Sequence, residues 1–365
     1  MNETPLTQVH RAHKAKLVDF AGWLMPIQYT GVLDEYHAVR QGAGLFDVSH
    51  MGRIKVAGNQ AENFLQWVST NDVARLAVGQ AQYSMVCQEA GGILDDIFIY
   101  KTGQAEFLVC VNASNRIKIV EWFHQHQQEK ISEVVIDDQS TEVAQIAIQG
   151  PSSPALLKRV LGSSVERLKP RQCLTLEHHR FSGLLSRTGY TGEIGYEWYL
   201  PAGEAQAAWE QLLKAGEGEQ VKPAGLGARD LLRLDVGYLL YGNDMDEQTT
   251  PLEAGAEWVV AWNKGPFLGQ PALQQQKEQG VMRRLVGFEM MERGVPRHEM
   301  AILKDGEMVG HVTSGNFSPV LQKGIGLGSL PPGLCQEGTV VEIDIRGKHV
   351  PAKVVRLPFY KRQKI

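Results

Sequence analysis

The sequence predicts an α+β protein of two or three domains that ends in a small antiparallel barrel or sandwich. Three observations carry that expectation. At 365 residues the chain is too long for one ordinary core. Up to about residue 278, helical and strand periodicities are interleaved. From Val281 onward short strands alternate with tight turns, such as Lys304-Asp305-Gly306-Glu307 and Arg346-Gly347-Lys348.

Taken in order, Val32–Gln41 reads as a helix ended by Gly42 and Gly44. Residues 45–56 read as one strand, closed by the turn pair Gly58-Asn59. Ala61, Phe64, Leu65 and Val68 fall at i, i+3, i+4 and i+7, an amphipathic helix. Residues 81–86, 93–100 and 106–111 are strands, with Glu89-Ala90-Gly91-Gly92 as a hairpin turn. Asn112-Ala113-Ser114 opens a helix to about His126, with a polar residue where a cap is wanted. A second block follows. It has strands at 143–148, 181–188 and 195–200, and helices from about Pro154, at 203–214 and at 228–237. The Gln-rich stretch 270–279 reads as a connector, and a domain boundary falls near 278.

The composition excludes several classes. Hydrophobic content is 43% and charged content 21%, ordinary for a globular chain with a sizeable core. A net charge of −4 argues against nucleic acid as the main partner, because phosphate binding needs a basic field. Arg356, Lys361, Arg362 and Lys364 form one basic patch, for which a solvated C-terminus is the plainer reading. The four cysteines, Cys87, Cys110, Cys173 and Cys335, make no C-x-x-C pair and no zinc spacing. They suggest a reducing compartment and no disulfide framework. No signal peptide and no apolar run of the roughly 18 residues that span a membrane is read, so a cytoplasmic location is expected.

Some signals point away from function. Asp47-Val48-Ser49-His50 holds the residue types of a hydrolase triad, but strand neighbours face opposite ways and triad members usually come from distant segments. Gly324-Ile325-Gly326-Leu327-Gly328 is followed by Pro331-Pro332-Gly333, so no helix opens where a dinucleotide loop needs one. Met290-Met291 and the tryptophans read as core.

Three constellations carry chemistry. In Gly91-Gly92-Ile93-Leu94-Asp95-Asp96 two carboxylates sit in an apolar strand, and alternation turns one of them inward. A carboxylate there is costly unless it finds a donor or does work; a hairpin-end Asp binding backbone N–H groups is an equal reading. In the segment from Ser186 to Glu197, glycines permit close backbone approach to a ligand, tyrosines offer flat surfaces, and Glu197 could accept two parallel hydrogen bonds from an amino-heterocycle. A solvated polar hairpin is the competing reading. In the segment from Gly225 to Asp235, Arg229 and Arg233 share a helix face and could grip a carboxylate, or pair at the surface with Asp230 or Asp235.

Together the three segments resemble the T-protein family of the glycine cleavage system, the aminomethyltransferases. Asp19-Phe20-Ala21-Gly22-Trp23, Gly44-Leu45-Phe46-Asp47-Val48-Ser49-His50-Met51-Gly52, Tyr241-Gly242-Asn243-Asp244-Met245, Pro251-Leu252-Glu253 and Gly310-His311-Val312-Thr313-Ser314-Gly315 extend the resemblance in order over the whole chain. It implies a three-domain, cloverleaf-like folate-binding aminomethyltransferase fold: a discontinuous domain at 1–52 plus 140–277, an inserted α+β domain at 53–139, and a C-terminal antiparallel β-barrel at 278–365. It implies transfer of a one-carbon unit from aminomethyl-lipoyl H-protein to tetrahydrofolate, a co-substrate, with no metal, no nucleic acid and no membrane. Asp96 matches the family's catalytic aspartate, orienting N5 and stabilising developing positive charge, with direct proton transfer as the alternative role. Asn112 matches a folate-contacting position, Glu197 the residue holding the pterin edge, and Arg229 one binding the carboxylate-bearing end. Tyr190, Tyr238, Met51, Tyr83 and Tyr100 would line the cavity, with Tyr360 and Arg362 at its C-terminal edge. One departure is readable: Ile194 stands where the family's Thr-Gly-Glu-Asp-Gly run has a carboxylate, and only a local change is expected.

Two other functions fit the same fold. One is a folate-dependent demethylase of a small methylated substrate. The other is a non-catalytic folate-binding relative that assists iron–sulfur cluster assembly. That class carries a Lys-Gly-Cys-Tyr-type motif; here Lys264-Gly265-Pro266-Phe267 has no thiol.

Overall fold

The computed structural model describes residues 1–131, 133–177 and 181–362. By internal packing the chain divides into two compact units, Met1–Ser84 with Asp96–Arg229, and Met85–Asp95 with Asp230–Ile365.

The first unit holds a six-stranded sheet in the order Cys173–Glu177, Ser182–Ser186, Gly195–Pro201, Val143–Gln149, Ala43–Asp47, Val221–Pro223. Alternation gives this sheet two unlike faces. Leu45, Ile146, Ile148, Tyr196, Trp198 and Leu200 pack with the apolar sides of the helices Ser153–Leu161 and Ala205–Ala215, including Leu156, Val160, Ala208 and Trp209. The intervening residues, among them Gln145, Glu197 and Tyr199, belong to the other face.

A five-stranded sheet runs in the order Ala81–Cys87, Ile93–Gly103, Glu106–Val111, Gly52–Ala57, Val135–Asp138. The helices Ala61–Val68 and Arg116–Lys130 meet edge to face through Phe64 and Phe123, with ring centroids 5.5 Å apart. The expected amphipathic stripe Ala61, Phe64, Leu65, Val68 is buried throughout. The two sheets close on each other through Phe98, Tyr100, Leu108 and Cys110 from one and Cys173, Leu184 and Tyr199 from the other. Backbone bonds pin this approach: the Ala81 N–H donates to Arg171 O at 2.9 Å and the Cys173 N–H to Gly79 O at 2.8 Å.

The expected single strand 45–56 is two strands, Ala43–Asp47 and Gly52–Ala57, one in each sheet. The break comes from side chains competing for the backbone. Asp47 Oδ1 accepts the Ser49 N–H at 2.9 Å. Arg53, wholly buried, donates to the carbonyls of Ser49 (3.0 Å), Met51 and Ser140. Asp47 Oδ2 accepts from Thr4 Oγ1 at 2.6 Å and lies 2.8 Å from His10 Nε2, while Ser49 Oγ donates to the Gln145 carbonyl. Asp47 and Ser49 of the triad-like set are therefore spent on holding this corner.

In the second unit Arg284–Met290, Lys323–Leu330, Glu307–Ser318, Ala301–Lys304, Val340–Ile345 and Lys348–Val355 close into a barrel. Val286, Phe288, Ile302, Val312, Ile343 and Val354 fill it. Its two sharpest turns have paired positive φ at Asp305 (53°) and Gly306 (85°), and at Arg346 (57°) and Gly347 (81°), the backbone that tight two-residue hairpins need. The glycine run 324–328 lies on a barrel strand: a Cβ on Gly326 would meet Phe288 Cζ at 2.5 Å, and one on Gly328 would meet Ile302 Cδ1 at 2.5 Å.

Two expectations need correction here. The stretch Gln270–Gln279 is a helix, not a connector: Pro271 sits in its first turn and Leu273 is fully buried with Leu252, Val260 and Phe267. Met290 is core, but Met291 is 56% exposed and Trp258 67% exposed, so neither of those two packs as expected.

The hairpin tip 85–95 is held within the second unit by the Ile93 N–H donating to Asp246 O and Thr249 O, and by Tyr241 OH donating to Ile93 O. A Cβ on Gly92 would lie 1.9 Å from Glu247 O. Gly92→Ala should therefore lose about 1–3 kcal/mol or more of stability, the usual cost of overpacking against groups that cannot yield. Urea unfolding checks this; an unchanged midpoint would show that the hairpin tip moves freely.

Candidate functional site

Alternation along Ile93–Gly103 puts Asp96, Phe98 and Tyr100 on one face, the face that meets the six-stranded sheet, while Asp95 is fully buried. Asp96 Oδ2 accepts from Tyr83 OH at 2.9 Å, and Oδ1 accepts from Asn112 Nδ2 at 2.7 Å. Asn112 stands at the expected capping position, before the short turn Ala113–Asn115, yet its side chain makes no cap bond and turns back to Asp96. Both carboxylate oxygens act as acceptors, as the ionised form does.

Glu197 lies on the facing sheet. Its Oε1 accepts from Gln145 Nε2 at 3.1 Å, and its Oε2 accepts from Thr188 Oγ1 at 2.6 Å and from Tyr100 OH at 3.5 Å. Burial pushes the phenols of Tyr100 and Tyr199 well above their ordinary range, and the Glu197 charge adds to this, so both stay protonated. Met51 packs against the same cluster of side chains as Tyr100 and Tyr199.

The loop 189–195 is shaped by a residue outside the motif. Gln149 is fully buried; it accepts from Thr191 Oγ1 at 3.0 Å and donates to the Tyr196 carbonyl at 3.1 Å. A Cβ on Gly189 or Gly195 would collide with Gln149 Oε1, at 2.0 and 2.3 Å. These two glycines thus make room for a side chain, where ligand approach was expected. Glu193 is not solvated either: it pairs with Arg40 at 2.9 Å, both side chains under 10% exposed. Ile194 packs on the helix-covered core, which is where the missing carboxylate of the usual motif is replaced by apolar contact.

Arg229 stacks 4.7 Å over the Tyr190 ring, and its Nη1 is buried with no hydrogen-bond partner among the described residues. Burial lowers its guanidinium pKa, and the nearby Glu197 charge opposes that. Arg233, one turn on, is a different kind of residue. It donates to Asp230 (2.9 Å), Asp244 (2.8 Å), Ser314 (2.8 Å) and the Tyr238 carbonyl, and its role is structural.

The structure therefore gathers Met51, Tyr83, Asp96, Tyr100, Asn112, Tyr190, Glu197 and Arg229 in the first unit. Tyr238, Tyr360 and Arg362 belong to the second. There, Tyr238 is 42% exposed, with burial raising its phenol pKa and the Arg362 charge opposing, and the Tyr360 N–H donates to Asp235 O at 2.7 Å. Lys364 lies outside the described residues.

Residues 6–264 match the GCVT N-terminal domain, and residues 283–361 match the glycine cleavage T-protein C-terminal barrel domain. This chain belongs to the glycine cleavage T-protein family. The aminomethyltransferase of Desulfitobacterium hafniense is 45% identical over 100% of this chain and 99% of its own length. That of Bacillus subtilis is 43% identical over 99% of this chain and 100% of its own. A crystal structure of glycine cleavage system aminomethyltransferase T from Bartonella henselae matches with a TM-score of 0.92 at 34% identity, covering 99% of this chain and 98% of that one.

For a member of the T-protein family, the residues that sequence reasoning passed over are the ones behind the site: Gln145, Gln149, Thr188, Tyr199, Arg53 and His50. One signal was available. Gln145 and Gln149 are polar residues inside an otherwise apolar strand and lie four apart, hence on one face. His50 is 3% exposed. Burial lowers its pKa to about 3, with Asp47 opposing and Arg229 and Arg53 reinforcing, so it stays neutral.

The unfolded chain protonates such a histidine near 6.5 while the folded one does not. Its contribution to stability is therefore complete above that pH and falls by about 1.4 kcal/mol per pH unit down to about 3. Between pH 6.5 and 4, urea midpoints of His50→Gln should fall less steeply than those of the wild type. Parallel slopes would count against a buried neutral imidazole.

Proposed function

We infer that this chain is an aminomethyltransferase of the glycine cleavage system. It takes the one-carbon unit from the aminomethyl-lipoyl arm of the H-protein and gives it to tetrahydrofolate. The products are 5,10-methylenetetrahydrofolate, ammonia and dihydrolipoyl carrier. The balance needs no oxidant. The C–N and C–S bonds of the aminomethyl thioether break, two C–N bonds form to N5 and N10, and the two folate N–H hydrogens leave on ammonia and the thiol. Full-length relatives named as aminomethyltransferases favour this over a demethylase of a small methylated compound.

The observation that carries the residue assignment is the pair of donors on Asp96. Tyr83 and Asn112 hold its carboxylate as an acceptor on the face shared with Tyr100. A fixed negative charge there would orient N5 and stabilise positive charge developing on the aminomethyl and folate nitrogens, with no reorganisation during the step. Glu197 would hold the pterin edge. The buried Nη1 of Arg229, with no partner among the described residues, suits an acceptor on folate's carboxylate-bearing end. Asn112 would then act on folate through Asp96 as much as by contact.

The three-domain division at 1–52 plus 140–277, 53–139 and 278–365 belongs to this reading. It is supported by where the strands fall: the six-stranded sheet uses 43–47 and 143–223, the five-stranded sheet 52–138, and the barrel 284–355. The reading also includes a cytoplasmic location, supported by four cysteines that are free thiols. Among the described residues no helix is long and apolar enough to cross a membrane. The exposed Arg356, Lys361 and Arg362 are the basic rim offered to an acidic carrier.

Ammonia release from aminomethyl-loaded H-protein, with and without tetrahydrofolate, tests both levels. The wild type should release ammonia fast and only with folate. Asp96→Asn should lose about 10²–10³-fold, the usual cost of removing one preorganised electrostatic group, while still binding folate. Wild-type rates in the variant would remove Asp96 from the step. A folded, folate-binding wild type that releases nothing would overturn the transferase reading.

A further inference from the structure

We propose that Gln145, Thr188 and Tyr199 are positioning residues, which with Tyr100 form a one-way ring of donors that fixes the plane and acceptor character of Glu197, and thereby selects a heterocycle edge carrying two N–H donors. The inference rests on Glu197 being the group that holds the pterin.

The direction of the ring follows from what each member can donate. Gln145 Nε2 has two hydrogens, one to Glu197 Oε1 and one to Tyr199 OH, each at 3.1 Å. Tyr199 OH then donates to Tyr100 OH at 2.9 Å. Tyr100 OH, having accepted, passes its own hydrogen to Glu197 Oε2 at 3.5 Å or to Thr188 Oγ1 at 3.3 Å. Thr188 Oγ1 donates to the same carboxylate oxygen at 2.6 Å and is backed by the Ser186 hydroxyl. The amide of Gln145 cannot flip without loss, because its Oε1 accepts from the Cys110 thiol at 3.6 Å. Burial pushes that thiol up to about 12, so it keeps its hydrogen.

Every hydrogen in the ring thus runs toward Glu197. Reversing one member would leave a buried donor facing a donor, at the full desolvation cost of both. The carboxylate has about four lone-pair sites; with the Tyr100 hydrogen on Thr188, Gln145 and Thr188 each use one and leave one on each oxygen. What remains can only accept. A ring N–H beside an exocyclic amine matches it. An edge with a carbonyl in place of that amine sets acceptor against acceptor and is rejected, the strong form of discrimination that buried polar groups provide.

The register of the strands builds this arrangement. Gln145 pairs directly with Tyr199, Ala147 with Glu197, and Glu197 with Ser186. Gln145 therefore sits on the diagonal from Glu197 on one face, and Thr188 follows two residues past Ser186. Tyr100 arrives from the other sheet, so the ring also records that the two sheets are correctly closed.

Thr188→Val keeps the shape and removes the donor. In the full chain it should raise both the tetrahydrofolate Kd, by fluorescence titration, and the KM about tenfold, the order of one charge-assisted hydrogen bond, with kcat of ammonia release little changed. Thr188→Ser should restore both. In a Glu197→Gln background the Thr188→Val effect should vanish. Tyr199→Phe gives the same comparison at smaller amplitude and keeps the ring's packing if Thr188→Val does not fold. A lower melting temperature with unchanged Kd and KM would make the ring structural only and overturn the proposal. So would an undiminished tenfold loss in the Glu197→Gln background. Glu197→Gln with wild-type folate affinity is a separate failure, that of the reading on which the ring rests.

Discussion

A carboxylate placed between two β-sheets has to be met by donors from the protein before any ligand arrives, and that constraint organises the first unit. Asp96 and Glu197 stand on facing sheets, beside an apolar cluster that includes Phe98, Leu108 and Leu184. Each would be costly there without partners. Tyr83 and Asn112 serve one, and Gln145, Thr188 and Tyr100 the other. Strand alternation delivers Tyr83, Tyr100 and Gln145, while Asn112 and Thr188 stand just past the ends of strands. A one-residue slip of Val143–Gln149 would turn Gln145 into the helix-packed face and bring Ile146 to the carboxylate. The register of the sheet and the chemistry of the site are therefore the same constraint.

That explains which parts were legible in the sequence. Ala61–Val68 and the barrel hairpins are written in local periodicity and turn residues, and both could be read directly. The break at 48–51 could not. It depends on Arg53 reaching back to the carbonyls of Ser49 and Met51, and on a Ser140 carbonyl that is 87 residues away in sequence. The helix Gln270–Gln279 was hidden by composition, since Leu273 alone is deeply buried on it. Alternation could say that one of Asp95 and Asp96 faces inward toward a cleft, but not which. The answer lies in Asn112, whose side chain leaves its capping position to bond Asp96. Gly189 and Gly195 looked like ligand-approach glycines because their true neighbour, Gln149, is forty or more positions away.

The site and its support also differ in how their polar groups are satisfied. Arg229 and Arg233 are one helical turn apart and chemically identical. Arg233 is 2% exposed and engages two carboxylates, a hydroxyl and a carbonyl. Removing both carboxylates would leave a buried charge uncompensated, so it is suited to holding the fold. Arg229 is instead steadied by the Tyr190 ring face and by the field of Glu197, and keeps a buried Nη1 without a partner among the described residues.

An aromatic face is a partner that consumes no donor hydrogen. It lets a guanidinium be held in place while its N–H groups stay available, which a carboxylate partner would not. The same logic separates Glu197 from Glu193 across the loop 189–195. Glu193 is matched by Arg40, and a charge neutralised in that way has little left to offer a ligand. Glu197 is held by neutral donors, which fix its geometry without a salt bridge. Arg233 and Glu193 are paired with opposite charge. Asp96, Glu197 and Arg229 are held by rings, hydroxyls and amides, and that choice of partner leaves their polar atoms available to a ligand.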